Sequence, residues 1–386
     1  MDYRRFEDKE ISEIGMGCYQ LSGTYGPVKN KLYKKVLGYA VELGINFFDT
    51  ADTYGPKAEE LLGDVIGPVR DDIILQTKVG IKEGIKPNLS YDYIMSACED
   101  SLERLNTSYI DYYLIHYADP KTPVEDTIAA LKDLKIDGKI EGYGVSHIGI
   151  EEMKKYSRIG DMSVAMMELS AVSREASKEV LPFCYKNDIG AIAFSVTGRG
   201  ILSGRYDKKT SLNGEGNKQI DPLFHHARFD SALRIVEKFR DIGKKYDKTP
   251  IQVGIKWILS QQGIICTLTG PSKKEHLEEN IGGSGWELYK EDAEELEFFL
   301  KNEDFWLKEK EPQIIENILR NPLKKDTNKA FSDLIYVIET SIQHSLTTEK
   351  DILPTFQKLW SLKDSKGGIA RENLKAIQKE LRTILL

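Results

Sequence analysis

The chain has 386 residues, 40% of them hydrophobic and 30% charged, with 31 glycines and 13 prolines, a globular composition that excludes collagen-like and wholly disordered chains. Its length accommodates one large domain or two to three average ones, each able to bury a sizeable core. Lysine and arginine number 54 against 61 acidic residues, and the formal net charge of -7 argues against a nucleic-acid partner.

The opening residues Met1–Glu10 contain no apolar core of a secretory signal, and no apolar run approaches the ~18–20 residues that span a bilayer. A cytoplasmic protein without membrane attachment is the expectation. Eight short apolar runs then recur: Ile14–Tyr19, Ile45–Thr50, Ile73–Val79, Ile110–Tyr117, Glu141–Ser146, Ser163–Leu169, Ala191–Val196 and Ile264–Gly270. Their length and β-branched or aromatic content fit parallel strands buried on both faces. Segments of helical period lie between them. Lys31–Leu43 carries Leu32, Val36, Ala40 and Leu43; Tyr91–Leu105 carries Ile94, Met95, Cys98, Leu102 and Leu105; Thr127–Leu134 carries Ile128, Leu131 and Leu134. Alternating strand–helix units predict a parallel sheet, and eight of them predict an α/β fold closed as a (β/α)8 TIM barrel. A doubly wound sheet would want G-x-G-x-x-G after the first strand, and Gly15-Met16-Gly17-Cys18-Tyr19-Gln20 lacks the third glycine. The stretch 203–228 is polar and glycine-rich, as a functional lid or an insert would be.

Beyond about residue 300 strand-like runs stop. Phe331, Leu334, Ile335, Ile338 and Ile342 form one helical stripe, Leu374, Ile377 and Leu381 another, with Ile352, Leu353, Phe356, Leu359 and Trp360 between them. Pro312, Pro322, Pro354 and Gly367-Gly368 punctuate the segment. The expected division is a barrel over 1–300 and an appended all-α module over 301–386, its stripes packed against the barrel or, as a lesser reading, open to an oligomer or partner contact.

Function in such a barrel lies at the C-terminal ends of the strands. Asp49 ends the second strand with Tyr54 just beyond, Lys78 ends the third, His116 the fourth, and Ser146 and His147 the fifth. A buried lysine held by a carboxylate stays cationic, and a cation beside a phenol lowers the phenol's pKa. The phenol can then protonate a substrate oxygen, and a neutral imidazole can orient the carbonyl. Each residue alone reads more readily as structural; together on one rim they read as a site. Tyr19, Tyr25 and Tyr117 follow strand ends and are candidate substrate contacts beside Tyr54 and His116. The cysteines Cys18, Cys98, Cys184 and Cys266 lie far apart without CxxC and read as reduced thiols, and His225-His226 lacks a third ligand, so no metal site is expected and these histidines read as solvent-exposed.

These residues carry a resemblance. Phe47–Gly55, Glu59-Glu60-Leu61-Leu62-Gly63, Ile74–Lys78, Asp111–His116, Gly142–Ser146 and Glu278-Glu279-Asn280 resemble the aldo-keto reductase superfamily over roughly residues 1–300, near its potassium-channel β-subunit-like and aryl-alcohol-dehydrogenase-like members. The resemblance implies a (β/α)8 barrel that transfers hydride from a nicotinamide cofactor to an aldehyde or ketone. It implies Tyr54 as proton donor, Lys78 as the residue that depresses its pKa, Asp49 as the partner of Lys78, and His116 as the substrate-orienting residue. For the cofactor it implies Cys18, Tyr19, Asp49, Ser146, His147, Met166, Phe194, Ser195, Gly198, Gly200, Ser272, His276, Glu279 and Asn280. His147 stands where asparagine is usual and Met166 where glutamine is, Val196-Thr197 replaces Pro-Leu, and His276 replaces arginine or glutamine. Lys273, Lys274 and His276 would carry a preference for NADP(H) over NAD(H). The altered cofactor positions also keep open a second reading, a nicotinamide-nucleotide-binding regulator or sensor with weak or no turnover.

Overall fold

The computed structural model describes residues 1–24, 28–55, 57–82, 86–212, 216–363 and 369–386. It begins with an antiparallel hairpin, β1 (Tyr3–Phe6) and β2 (Lys9–Ser12), followed by β3 (Ile14–Gly17), α1 (Asn30–Glu42), β4 (Phe47–Asp49), α2 (Ala58–Ile66) and β5 (Ile74–Val79). A short hairpin, β6 (Ile81–Lys82) with β7 (Lys86–Pro87), precedes α3 (Tyr91–Leu105) and β8 (Ile110–Ile115). Then come α4 (Val124–Ile136), β9 (Ile140–Ser146), α5 (Ile150–Ile159), β10 (Val164–Glu168), α6 (Val180–Lys186), β11 (Gly190–Phe194), α7 (His226–Gly243), α8 (Pro250–Leu259), β12 (Ile264–Thr269) and α9 (Lys274–Ile281). The chain ends with α10 (Lys290–Arg320), α11 (Thr327–Gln343), α12 (Glu349–Ser361) and α13 (Arg371–Leu385).

Eight strands close into a parallel barrel in the order β10-β11-β12-β3-β4-β5-β8-β9. They are the eight apolar runs of the sequence. Every residue of β5 and β8 is buried, as the barrel interior and the helical ring both require. Inside, Phe47, Ile74, Tyr112, Leu114, Val164, Ile192 and Leu268 pack with Ile11 and Phe6 of the first hairpin. Each such side chain contributes about 1.5–3 kcal/mol on burial. On β9, Gly144 pairs with Val164, and a Cβ there would stand 1.9 Å from the Val164 carbonyl oxygen, so only glycine allows this strand spacing. Helix α1 buries Tyr33, Val36, Leu37 and Ala40, whereas Leu32, expected on that face, is exposed because the buried stripe is one residue further round.

Contacts divide the chain into two compact units, one of Met1–Ser203 with Phe239–Tyr289 and one of Gly204–Lys238 with Lys290–Leu386. The boundary expected at residue 300 falls inside α10, and segment 204–238 joins the second unit. Within that unit the apolar stripes pack on one another: Ile315, Leu319, Phe331, Leu334, Ile338, Ile352, Leu359, Leu374, Ile377 and Leu381 form a single core. Leu353 and Trp360 are exposed, since only one face of α12 meets its neighbours. Pro312 and Pro354 do not end helices; α10 and α12 run through them, and Gly367-Gly368 lies outside the described residues. A second, polar core surrounds Glu311, which is 2% exposed: it accepts from Arg228 Nε at 2.8 Å and Tyr336 OH at 3.0 Å and meets His344. The adjacent histidines are fixed rather than solvent-exposed. His225 Nε2 meets the Gln219 carbonyl oxygen at 2.8 Å, and His226 Nε2 meets Asp333 Oδ1 at 2.7 Å. Among the described residues no helix is long and apolar enough to cross a membrane, and no three metal-ligating side chains gather. All four cysteines are buried and unpaired.

Candidate active site

The strands deliver the acid, lysine and histidine to one end of the barrel. Asp49 is the last residue of β4, Lys78 lies near the end of β5, and His116 follows β8. Backbone bonds tie the rim together: Cys18 N–H donates to the Asp49 carbonyl oxygen at 2.8 Å, Thr50 N–H to that of Gln76 at 2.9 Å, and His116 N–H to that of Val79 at 2.7 Å. Tyr54 sits in the turn between β4 and α2. The turn needs Gly55, whose φ is +119° and where a Cβ would stand 2.8 Å from the Leu21 carbonyl oxygen.

Lys78 has no exposed surface. Its Nζ donates to Asp49 Oδ1 at 2.5 Å and to the Thr50 carbonyl oxygen at 2.7 Å, and it stands 4.5 Å from the centroid of the Tyr54 ring. Gln76 Nε2 donates to the same Asp49 oxygen at 2.6 Å and approaches Met166 Sδ at 3.5 Å. Burial pushes Asp49 up and Lys78 down, and each pulls the other back toward its charged form. Burial and the Asp49 carboxylate push Tyr54 well above the usual phenol range. Here the depression expected from Lys78 is not what the arrangement gives, because the ammonium faces the ring rather than the hydroxyl while burial and the Asp49 charge both act to raise it. Burial and Lys78 hold His116 well below the usual imidazole range, so it is neutral. The Tyr54 hydroxyl has no hydrogen bond among the described residues, and His116 Nδ1 faces Thr53 Oγ1 at 3.5 Å, which leaves Nε2 unengaged.

A run of rings continues from this set. Tyr19 lies edge-on to Tyr54 with centroids 5.0 Å apart, and Tyr54 lies 5.7 Å from His116. Tyr117 stacks on His116 at 4.6 Å and on His147 at 4.9 Å, and His147 lies 4.8 Å from Phe194. Tyr19 and Tyr117 remain more than a third exposed, as residues at an open mouth would be. Ser146 Oγ, fully buried, meets His147 Nδ1 at 2.9 Å. The loop after β11 is tightly wound, with positive φ at Ser195, Gly198, Arg199 and Gly200. Ser272 lies between β12 and α9, and His276, Glu279 and Asn280 lie along α9, whose N-terminus has no side-chain cap. Tyr25 lies outside the described residues. Gln76 and Thr53 also touch the set, and neither is among the site residues expected from the sequence. The signal for Gln76 was its place two residues before Lys78, on the same strand face.

Beside the Tyr54 turn a cavity of roughly 270 Å³ is lined by Asp52, Glu59, Tyr93, Asp100 and Arg104, among others. Glu59 is fully engaged, accepting from Thr77 Oγ1 at 2.7 Å and Arg104 Nε at 2.6 Å. Asp52 Oδ1 is buried with no hydrogen-bond partner among the described residues, and burial with the Glu59 charge pushes this carboxyl up to about 7.

Residues 13–301 match the sequence model of the Aldo/keto reductase family. The chain is 31% identical to aldo-keto reductase YhdN of Bacillus subtilis (strain 168), over 78% of this chain and 94% of that protein. It is 32% identical to probable aldo-keto reductase 1 of Glycine max, over 74% of this chain and 85% of that protein. Its fold is similar to that of the glycerol dehydrogenase AKR11B4 from Gluconobacter oxydans, with a TM-score of 0.72 and 26% identity over 78% of this chain and 96% of that one. The holo form of aldo-keto reductase AKR11C1 from Bacillus halodurans gives a TM-score of 0.67 at 27% identity, again over 78% and 96%.

Proposed function

The chain belongs to the aldo/keto reductase family and is an oxidoreductase, and from that premise we propose that it reduces an aldehyde or ketone to an alcohol with Tyr54 as the proton donor. The carrying observation is the convergence of Asp49, Lys78, Tyr54 and His116 at one barrel end with the Tyr54 hydroxyl and His116 Nε2 both left unengaged. A bound nicotinamide cofactor supplies the hydride. Tyr54 OH gives its proton to the carbonyl oxygen as negative charge develops there. Neutral His116, with Nδ1 turned to the Thr53 hydroxyl, presents Nε2–H to the same oxygen and orients it. Lys78, held by Asp49 and the Thr50 carbonyl, keeps positive charge beside the phenol as the proton leaves.

The residues fit a nicotinamide dinucleotide. Ser146 offers a buried hydroxyl, Phe194 a flat ring, the wound loop Ser195–Gly200 close backbone approach, and the uncapped start of α9 free N–H groups for a phosphate. Lys273, Lys274 and His276, all exposed at that helix start, favour NADP(H) over NAD(H). Tyr54→Phe is expected to abolish reduction across a panel of carbonyls while nicotinamide fluorescence reports unchanged cofactor binding; undiminished turnover removes the proton-donor role.

One observation favours a second reading. Met166 places a thioether where it can neither donate to nor strongly accept from a carboxamide, which weakens the hold on the cofactor's reactive end. A nucleotide-responsive regulator with little turnover fits that loss. Cofactor binding without turnover on any carbonyl would select it.

A further inference from the structure

Gln76 lies two residues before Lys78 on β5, so strand alternation turns both side chains into the barrel. It is fully buried, like Lys78. One oxygen, Asp49 Oδ1, accepts from both Gln76 Nε2 and Lys78 Nζ. The amide's own carbonyl oxygen, Oε1, is buried with no partner among the described residues. An apolar side chain at this position would leave no orphaned acceptor, so packing alone does not account for a glutamine. The orientation of the amide is also informative. Turned round, its carbonyl would face the carboxylate oxygen, lone pair against lone pair; the donor faces an acid that must be an acceptor there.

The pair is sensitive to such a bond. Burial drives Asp49 and Lys78 toward sharing a proton as a neutral couple, and each donor on Asp49 opposes that. Of the other titratable groups facing the pair, Cys18, Tyr33, Tyr54 and Cys266 stay protonated because burial pushes each of them up, and His116 and His147 stay neutral because burial and Lys78 push both of them down. That leaves Asp52, in the β4–α2 turn, as the carboxylate acting on Lys78 besides Asp49.

We propose that Gln76 is a positioning residue of the proton-donating set: by donating to Asp49 it keeps the Asp49–Lys78 couple ionised, and so keeps a cation against the face of Tyr54. Its effect on turnover rests on the reductase reading, but its effect on Asp49 can be read without turnover. Gln76→Met removes the donor at nearly constant volume, and Gln76→Glu keeps the shape but donates only while it holds a proton.

The test follows the protonated-carboxyl stretch of Asp49 by infrared difference spectroscopy on the full chain from about pH 6 to about pH 9, assigned by its loss in Asp49→Asn. Asp49 is expected to be ionised throughout in the parent and to carry a proton at the lower end of the range in Gln76→Met. In turnover, Gln76→Met should lose about tenfold in kcat, the scale of one charge-assisted hydrogen bond, with cofactor Kd within about twofold. Gln76→Glu should match the parent at low pH and fall away as pH rises. A fully ionised Asp49 in Gln76→Met, or a parent-like pH profile in Gln76→Glu, overturns the proposal. A folded parent that turns over no carbonyl overturns the reductase reading and leaves the Asp49 measurement standing.

Discussion

Lys78 Nζ stands over the face of the Tyr54 ring, 4.5 Å from its centroid, and no hydrogen bond joins it to the phenol. Its bonds go to Asp49 and the Thr50 carbonyl. The lysine is therefore held by the strand ends and acts on Tyr54 through the ring. Lys78→Met should strand the Asp49 charge in a dry barrel and cost about 3–5 kcal/mol of stability in denaturant unfolding. Adding Asp49→Leu should restore most of that loss without restoring turnover. A double variant as unstable as the single one contradicts this account.

Met166 offers a chance to repair the cofactor grip. Met166→Gln places an amide beside Ser146, to which Met166 is paired in register, and near the Gln76 amide. One gained hydrogen bond of about 0.5–1.5 kcal/mol corresponds to cofactor binding tighter by about 2- to 10-fold. Fluorescence titration of the nicotinamide measures it directly; unchanged or weaker binding shows that this position does not face the carboxamide.

Asp52 ties stability to pH. Its folded-state pKa of about 7 lies above the ordinary aspartate value of about 3.9. Between these values the folded chain keeps the proton that the unfolded chain has lost, so stability falls as pH rises from about 4 to about 7 and then levels off. Allowing for partial exposure, the contribution is about 2 kcal/mol. Asp52→Asn should gain that much on the parent at pH 8 and little at pH 4, in urea midpoints measured at both. An equal gap at the two pH values sinks the assignment.

In the helical unit, Glu311 depends on Arg228. Among the described residues, Arg228→Met leaves the carboxylate with only Tyr336 and His344 as partners and should destabilise by about 3 kcal/mol. The penalty should shrink in acid, where Glu311 can take a proton. Denaturant unfolding at pH 5 and pH 8 compares the two, and a pH-independent loss points instead to the packing of the arginine stem.

The barrel was readable because parallel strands buried on both faces leave short continuous apolar runs, and Ile110–Ile115 or Ile264–Thr269 could hardly be anything else. The hairpin Tyr3–Ser12 escaped notice: β1 alternates exposed and half-buried residues, and its Glu7-Asp8 turn lacks the usual glycine or asparagine. Pro312 and Pro354 misled because a local helix-breaking rule gave way to helices anchored by packing on both sides of each proline. The four site residues were legible from their strand-end positions. How the lysine meets the tyrosine was not, since a rotamer decides it, and in the sequence Gln76 is indistinguishable from any interior strand residue, although its amide bonds Asp49.

The helical unit is assembled from Gly204–Lys238 and Lys290–Leu386, and the last barrel strand, β12, is encoded between them. During synthesis the first piece leaves the ribosome before its companions exist, and Ile220, which packs against the apolar core, must wait in water for helices about a hundred residues later. A messenger cut short after the barrel would thus release not a trimmed enzyme but one carrying an orphaned, sticky loop, and quality-control machinery rather than catalysis would decide its fate.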